Sequence, residues 1–519
     1  MSEAVENEAT EAKGESKDGG KDSGTVQVEK AADAKPRSGA KKAEPAPKAE
    51  ATPEGMRAAL DRMKKLCRTQ GAPSYDARMK SLDKLEKAIS DHKEEIIRAV
   101  SEDFGHRSRH ETLLAEVMTT LNGIKHTRAH LHEWMEPEPR ETWVLALPAR
   151  CEIIRQPLGV IGIVAPWNYP VNLAFGPLVY ALAAGNRAMI KPSEITARTG
   201  EVIKKVVASA FSEDEVCVFT GGFEVGVAFS KLPFDHMLFT GSTSVGRIIM
   251  REAAENLVPV TLELGGKSPA IVSDNYSLKA AAEKIMRGKL FNAGQTCIAP
   301  DYVLIPKGRI EAFVEECKAA VAAMYPTLAD NPDYTSVVND RHYDRLERHV
   351  TEAKDKGATI VEINPAKEEL SRESRKMVPR IVLGATDEMT VMQDELFGPI
   401  LPIQGYATLD DAIDYVNEHP RPLALYYFDN DDARAQRVLS STTSGGACVN
   451  ETLLHFAQED MPFGGVGASG MGSYHGREGF DTFSHKKSVL YQSRFSGVKA
   501  IAAPYKGTLD LGLRLLVGK

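Results

Sequence analysis

The chain has no run of about 18 consecutive apolar residues, so nothing in it reads as a membrane-spanning helix. Its six cysteines (Cys67, Cys151, Cys217, Cys297, Cys317 and Cys448) include no C-x-x-C pair. That argues against a zinc site and a disulfide framework and suits a reducing compartment, and no metal site is expected. The start, Met1-Ser2-Glu3-Ala4-Val5-Glu6, lacks the basic and then apolar regions of a secretory signal. Nor is it acid-poor and Arg-rich like an organelle transit peptide, so cytoplasmic residence is expected. A basic excess is missing too. The net charge of −8 gives no ground for nucleic acid or an anionic membrane as partner. No internal repeat of fixed period is present.

What the chain does have is length: 519 residues exceed one hydrophobic core, and two or three domains are expected. Residues 1–52 are Ala, Glu, Lys, Gly, Ser and Pro with scarcely a large apolar side chain. Such a segment cannot bury enough surface to offset its ordering entropy, and it reads as a disordered tail. From Asp76 onward Leu82, Leu85, Ile89, Ile96 and Val100 recur at helical spacing, with more helix to about Trp134. Residues 140–157 read as extended structure. Short apolar strands at Val160–Ala165, Ala188–Ile190, His236–Phe239 and Ala270–Val272 alternate with helical stretches such as Leu173–Ala184. That alternation implies an α/β fold with a parallel, doubly wound sheet.

The chemistry concentrates in a few segments. Phe291-Asn292-Ala293-Gly294-Gln295-Thr296-Cys297 sets a thiol after a short bend, and Leu262-Glu263-Leu264-Gly265-Gly266-Lys267 sets a carboxylate among glycines. A nucleophile and a base, each where the backbone permits close approach, suit covalent catalysis. Partial burial of Glu263 would raise its pKa toward neutrality and make it a competent base. Asn168, in the loop after the first strand beside Trp167, is a neutral amide donor suited to a developing oxyanion.

A strand running into Gly241-Ser242-Thr243-Ser244-Val245-Gly246 opens a helix, and the free N–H groups of such a start suit a pyrophosphate. Lys191 and Glu194, just past another strand, could reach ribose hydroxyls. Glu395 and Phe397 place an acid and an aromatic two residues apart before a turn. Gly465-Val466-Gly467-Ala468-Ser469-Gly470 is a literal G-x-G-x-x-G, but no buried strand precedes it. It reads as a flexible loop near the site rather than a cofactor loop.

Taken in this order, these segments resemble the aldehyde dehydrogenase superfamily from about residue 55 to about 505. Pro462–Gly472, Tyr474-His475-Gly476 and Phe480-Asp481-Thr482-Phe483-Ser484-His485 resemble its class 3 branch, as does Arg421–Tyr426. Within that branch the bacterial coniferyl aldehyde dehydrogenases are the most similar group.

The resemblance implies a Rossmann-type NAD(P)-binding domain over 53–262, with 130–157 contributing to oligomerisation. A catalytic domain over 263–450 and a C-terminal return and oligomerisation segment over 451–519 would follow. It implies Cys297 as nucleophile, Asn168 as oxyanion donor and Glu263 as base. Trp167, Lys191, Glu194, Gly241, Ser242, Thr243, Gly246, Glu395 and Phe397 would lie around NAD, with NADP possible. The implied reaction oxidises a coniferyl, other aromatic or medium- to long-chain aldehyde to the acid through a thiohemiacetal and thioester. A homodimer is expected. CoA-acylating relatives and a silent structural scaffold are the competing readings.

Overall fold

The computed structural model describes residues 51–495, 503–505 and 507–518. The apolar run Val160–Val164 forms an inner strand of a six-stranded sheet. Arg187–Lys191 and His236–Thr240 flank it in parallel. Val260–Glu263 continues the sheet to a two-residue antiparallel edge at Gly470–Met471, and Val216–Val218 forms the opposite edge. The inner strands have no solvent-facing side, which is why their sequence is continuously apolar rather than alternating. Because they run parallel, their carboxyl ends share one rim, where Lys191, Thr240 and Glu263 each end a strand. Ligands of such sheets bind at that rim.

A second sheet of seven strands runs in the order Thr359–Glu362, Arg380–Leu383, Ile400–Tyr406, Tyr302–Pro306, Pro269–Val272, Ala424–Phe428 and Gly446–Val449. Only its first pair is antiparallel. The two large sheets divide the chain near residue 265, and Glu263 ends the last main strand of the first. A third, antiparallel sheet joins Glu138–Arg140, Arg150–Pro157 and Ser484–Tyr491. Arg155 locks it by bonding both Glu138 (2.6 Å) and Asp481 (2.5 Å).

The helix Tyr75–Phe104 begins at Ser74, whose hydroxyl accepts from Ala77 N, and buries Leu82, Leu85, Ile89, Ile96 and Val100, as their spacing predicted. Each such side chain contributes roughly 1.5–3 kcal/mol of burial. The tail expected over 1–52 lies outside the described residues except at its end, and there the expectation is corrected. Thr52 is a helix cap: its Oγ1 accepts from Gly55 N at 3.0 Å, and Pro53 opens the helix Pro53–Gln70.

Residues 140–157 are not extended throughout. Val144–Ala146 forms a 3₁₀ turn, closed by Ala146 N donating to Trp143 O at 2.8 Å. A short apolar run carries no period long enough to separate the two conformations. Among the described residues no helix is long and apolar enough to cross a membrane.

Candidate active site

The helix Leu278–Leu290 ends in a bend whose geometry explains the residues that precede Cys297. Asn292, Ala293 and Gly294 all adopt positive φ (54°, 52° and 76°), a conformation that needs strong local bonding to persist. That bonding is present. Asn292 Nδ2 donates to Gln295 O and Asn168 O at 3.1 Å each, and Asn292 N donates to Glu111 Oε1 at 3.0 Å. Gln295 Nε2 donates to Asn292 O and Ser336 O, while its Oε1 accepts from Val338 N. Glycine is required at 294, because a Cβ there would stand 2.4 Å from Gly398 O. The bend thus delivers Cys297 into a cleft of about 1050 Å³, where the residue is half-buried.

No helix begins at Cys297, so no helix dipole favours its thiolate. Burial pushes the thiol pKa well up, and the nearby Glu395 and Glu263 carboxylates push the same way.

Asn168 lines the same cleft. Its Nδ2 donates to Gln295 O at 3.2 Å, which uses one of two N–H groups. Behind it, the buried Arg107 guanidinium donates to Asn168 O at 2.8 Å and pairs with Glu116 at 3.1 Å. Glu116 in turn accepts the amides of Val171 and Asn172 at 2.9 and 2.8 Å. Tyr169 bonds Thr296 Oγ1 at 2.6 Å, tying the asparagine loop to the residue before the thiol.

Glu263 ends its strand opposite Gly470 and faces the cleft. It is buried, and neither carboxylate oxygen has a hydrogen-bond partner. Burial alone pushes its pKa well above the usual carboxylate range. The segment read as a flexible loop, 465–470, instead closes this strand's edge. A Cβ on Gly470 would stand 2.2 Å from Leu262 O.

The residues expected around a dinucleotide divide between the cleft and its surroundings. Trp167, Gly241, Ser242, Thr243, Glu395 and Phe397 all line the cleft. Ser242 caps the helix Thr243–Ala254. Gly246 does not line the cleft: its amide donates to Ser242 O, and its missing side chain makes room for Leu264, 2.6 Å from a built Cβ. Lys191 and Glu194 stand together, 3.5 Å apart, outside the cleft lining.

Glu395 rests on Gly265, where a Cβ would be 1.9 Å from its Oε2, and its buried Oε1 is unpartnered. Burial and the neighbouring Asp301 charge push its pKa up to about 8. Phe397, at φ 53°, meets Trp167 edge-on at 5.3 Å. An acid with one unpartnered oxygen on a glycine floor, beside a small-residue helix start, fits the ribose and phosphates of a dinucleotide.

Other cleft residues were not singled out from sequence. His342 packs on Trp167 at 4.8 Å, and burial with the Arg345 and Arg341 charges lowers its pKa to about 4. Arg345 donates to Glu395 O and Leu396 O. Both lie on the helix Asp340–Asp355, remote in sequence from every motif, so only their shared helix face could have drawn attention to them. Phe456, Phe463 and Tyr474 form an aromatic wall, in which Phe463 meets Phe456 at 4.8 Å and Tyr474 at 6.1 Å, both edge-on.

Comparison with known proteins gives the family. The aldehyde dehydrogenase family profile matches residues 28–489. A protein of Caulobacter vibrioides named "Probable coniferyl aldehyde dehydrogenase" is 53% identical over 441 residues, 84% of this chain and 91% of that one. The coniferyl aldehyde dehydrogenase of Pseudomonas sp. strain HR199 is 49% identical over 454 residues, 87% of this chain and 94% of that one. The solved structure described as the substrate-bound state of Staphylococcus aureus AldH superposes with a TM-score of 0.83 at 39% identity, covering 88% of this chain and 99% of that chain. The chain belongs to the aldehyde dehydrogenase family, whose members are NAD(P)-dependent.

Proposed function

We propose that the protein oxidises an aromatic aldehyde of the coniferyl type to its carboxylic acid, with NAD as the preferred cofactor. The observation that carries this reading is one cleft holding a thiol, an amide donor and a buried, unpartnered carboxylate. The Cys297 thiol gives up its proton to a water molecule and, as the thiolate, attacks the aldehyde carbon. The oxyanion so formed is held by Asn168 Nδ2 and the Cys297 backbone N–H, donors already fixed before reaction. A bound dinucleotide, held by the residues named below, would supply the hydride acceptor. Loss of hydride leaves a thioester on Cys297. Glu263 takes a proton from water as that water attacks the thioester carbon, and the sulfur departs with the acid released.

Glu395 would hold the nicotinamide ribose, with Phe397 and Trp167 beside it. Ser242, Thr243 and Gly241 would meet the phosphates, with Gly246 supporting that turn. Lys191 and Glu194 would take the adenosine ribose. The retained Glu263 disfavours a CoA-acylating activity, which dispenses with water activation. Two copies would pair through the open sheet edges Gly446–Val449 and Ser484–Tyr491, where Val449 and Leu490 are exposed.

The test is NADH formation with coniferaldehyde, cinnamaldehyde and octanal, each with NAD and NADP. Coniferaldehyde with NAD should give the highest kcat/KM, and Cys297→Ala should remove all turnover. Activity surviving in the alanine variant would refute the nucleophile.

A further inference from the structure

Tyr474 lines two cavities. One is the catalytic cleft, and the other is a niche between the helices Thr119–Met135 and Asn172–Ala183. The Tyr474 hydroxyl feels the charges of Glu263, Cys297 and Glu459, so a single phenol connects the catalytic groups to the carboxylate of the niche.

The niche is small, with room for about one water-sized group, yet its lining is polar. Glu459 is only part-buried, and its Oε2 accepts from Tyr180 OH at 2.6 Å. That bond fixes the carboxylate and leaves its second oxygen able to accept. A glycine at 123 makes the space, since a Cβ there would stand 3.3 Å from Glu459 Oε2. His475 is 4% exposed, and its Nδ1 is buried without any partner. Its φ of 88° is strained for a non-glycine residue, and its ring is held against Phe456 (4.9 Å) and Phe463 (5.5 Å). A buried, unpartnered ring nitrogen costs free energy unless something bonds to it, and the niche admits one small polar group.

Size and chemistry therefore fit a substituent rather than a ring. An aromatic ring would lie in the cleft along Phe456, Phe463 and Tyr474, with a polar group projecting into the niche.

We infer that Glu459, held by Tyr180 and faced by His475, is the specificity subsite for a hydroxyl group on the ring of the aldehyde substrate. This rests on the aromatic-aldehyde reading above. The hydroxyl donates to the free Glu459 oxygen, and its own oxygen is open to His475. A substrate lacking the hydroxyl leaves the buried His475 Nδ1 unpartnered and offers Glu459 no donor, which is how such a site discriminates.

The test compares kcat/KM for coniferaldehyde, its 4-O-methyl ether and cinnamaldehyde, in the unmodified protein and in Glu459→Gln and Glu459→Leu. The unmodified protein should prefer coniferaldehyde to its methyl ether by at least about tenfold. Glu459→Leu should collapse the coniferaldehyde-to-cinnamaldehyde ratio by about 10- to 100-fold, mostly through KM, as for loss of a hydrogen bond to a charged group. Glu459→Gln, which keeps an acceptor, should fall between. An unchanged ratio in Glu459→Leu would overturn the assignment. Should the leucine variant fail to fold, equal use of coniferaldehyde and its methyl ether by the unmodified protein would overturn it equally. Failure of the aromatic reading looks different, because the unmodified protein would then oxidise octanal and neither cinnamaldehyde nor coniferaldehyde.

Discussion

Behind Asn168 the protein buries a carboxylate with every partner supplied, and across the cleft it buries another with none. Glu116 is fully enclosed in the π-helical turn Leu113–Met118, where Arg107 and the amides of Val171 and Asn172 bond it. The Arg107 guanidinium also lies over the rings of Phe104 (5.1 Å) and Tyr169 (4.7 Å). Glu263 is as deeply buried, and neither of its oxygens is bonded. Burial raises the pKa of both, but Arg107 and two amides pull Glu116 back, whereas nothing pulls back Glu263. A paired buried charge fixes geometry. An unpaired one has its proton affinity raised, so that once deprotonated it is a strong base, and the fold carries the cost of leaving it unpartnered.

The largest expected effect comes from removing the reactive member. Glu263→Gln should lower steady-state turnover by about 10²–10⁴-fold, the range for loss of a general base. Acylation does not use this group in the proposed sequence, so one burst of NADH per active site should remain in stopped-flow absorbance. Turnover equal to that of the unmodified protein would remove Glu263 from the hydrolytic step.

Next comes the scaffold member. Glu116→Gln leaves Arg107 charged and buried without its paired carboxylate, and breaking such a pair costs about 3–5 kcal/mol. Denaturant unfolding should report that loss. Activity should fall as well, because Arg107 braces the Asn168 carbonyl. A variant of unchanged stability would mean that the pair contributes nothing net.

The two carboxylates also separate by pH. Glu263 has a raised pKa in the folded protein, so the folded state holds a proton that the unfolded chain releases near pH 4.3. Its contribution to stability is therefore fully present below that value and lost as pH rises through the folded pKa. Glu263→Gln, which cannot ionise, should gain on the unmodified protein as pH rises, by about 1.4 kcal/mol per unit of separation between the two values. Melting curves that stay parallel from pH 5 to pH 9 would show that the carboxylate finds a partner in solution.

How much of this was legible in the sequence depends on distance along the chain. The thiol bend and the Glu263 strand end were readable because each packs its chemistry into a few consecutive residues, with glycines marking close backbone contact. Strands 160–164 and 236–240 were readable from apolar runs alone. The bracing of Asn168 was not, since Arg107 and Glu116 belong to a stretch whose charges look like an ordinary solvated helix face. His342, Glu459 and His475 reach their cavities only through the crossing of distant helices and loops, and periodicity carries no information about such crossings. The turn at Val144–Ala146 failed for a local reason, its brevity.

Glu194 supplies the contrasting exposed case and the smallest expected effect. Its side chain is 47% exposed and stands 3.5 Å from Lys191 Nζ, so water screens it as it cannot screen Glu263. In the proposed adenosine ribose site, a 2′-phosphate would meet this carboxylate as a like charge, whereas a ribose hydroxyl would donate to it. Glu194→Gln removes the repulsion and keeps an acceptor for the hydroxyl. The ratio of kcat/KM with NADP to that with NAD should rise by about two- to fivefold, the scale of a solvent-exposed charge pair. Because the effect is electrostatic and exposed, it should shrink as salt is raised. An unchanged ratio at low salt would take Glu194 out of the ribose site, and a large change indifferent to salt would mean the carboxylate is buried by the cofactor and belongs with Glu263 instead.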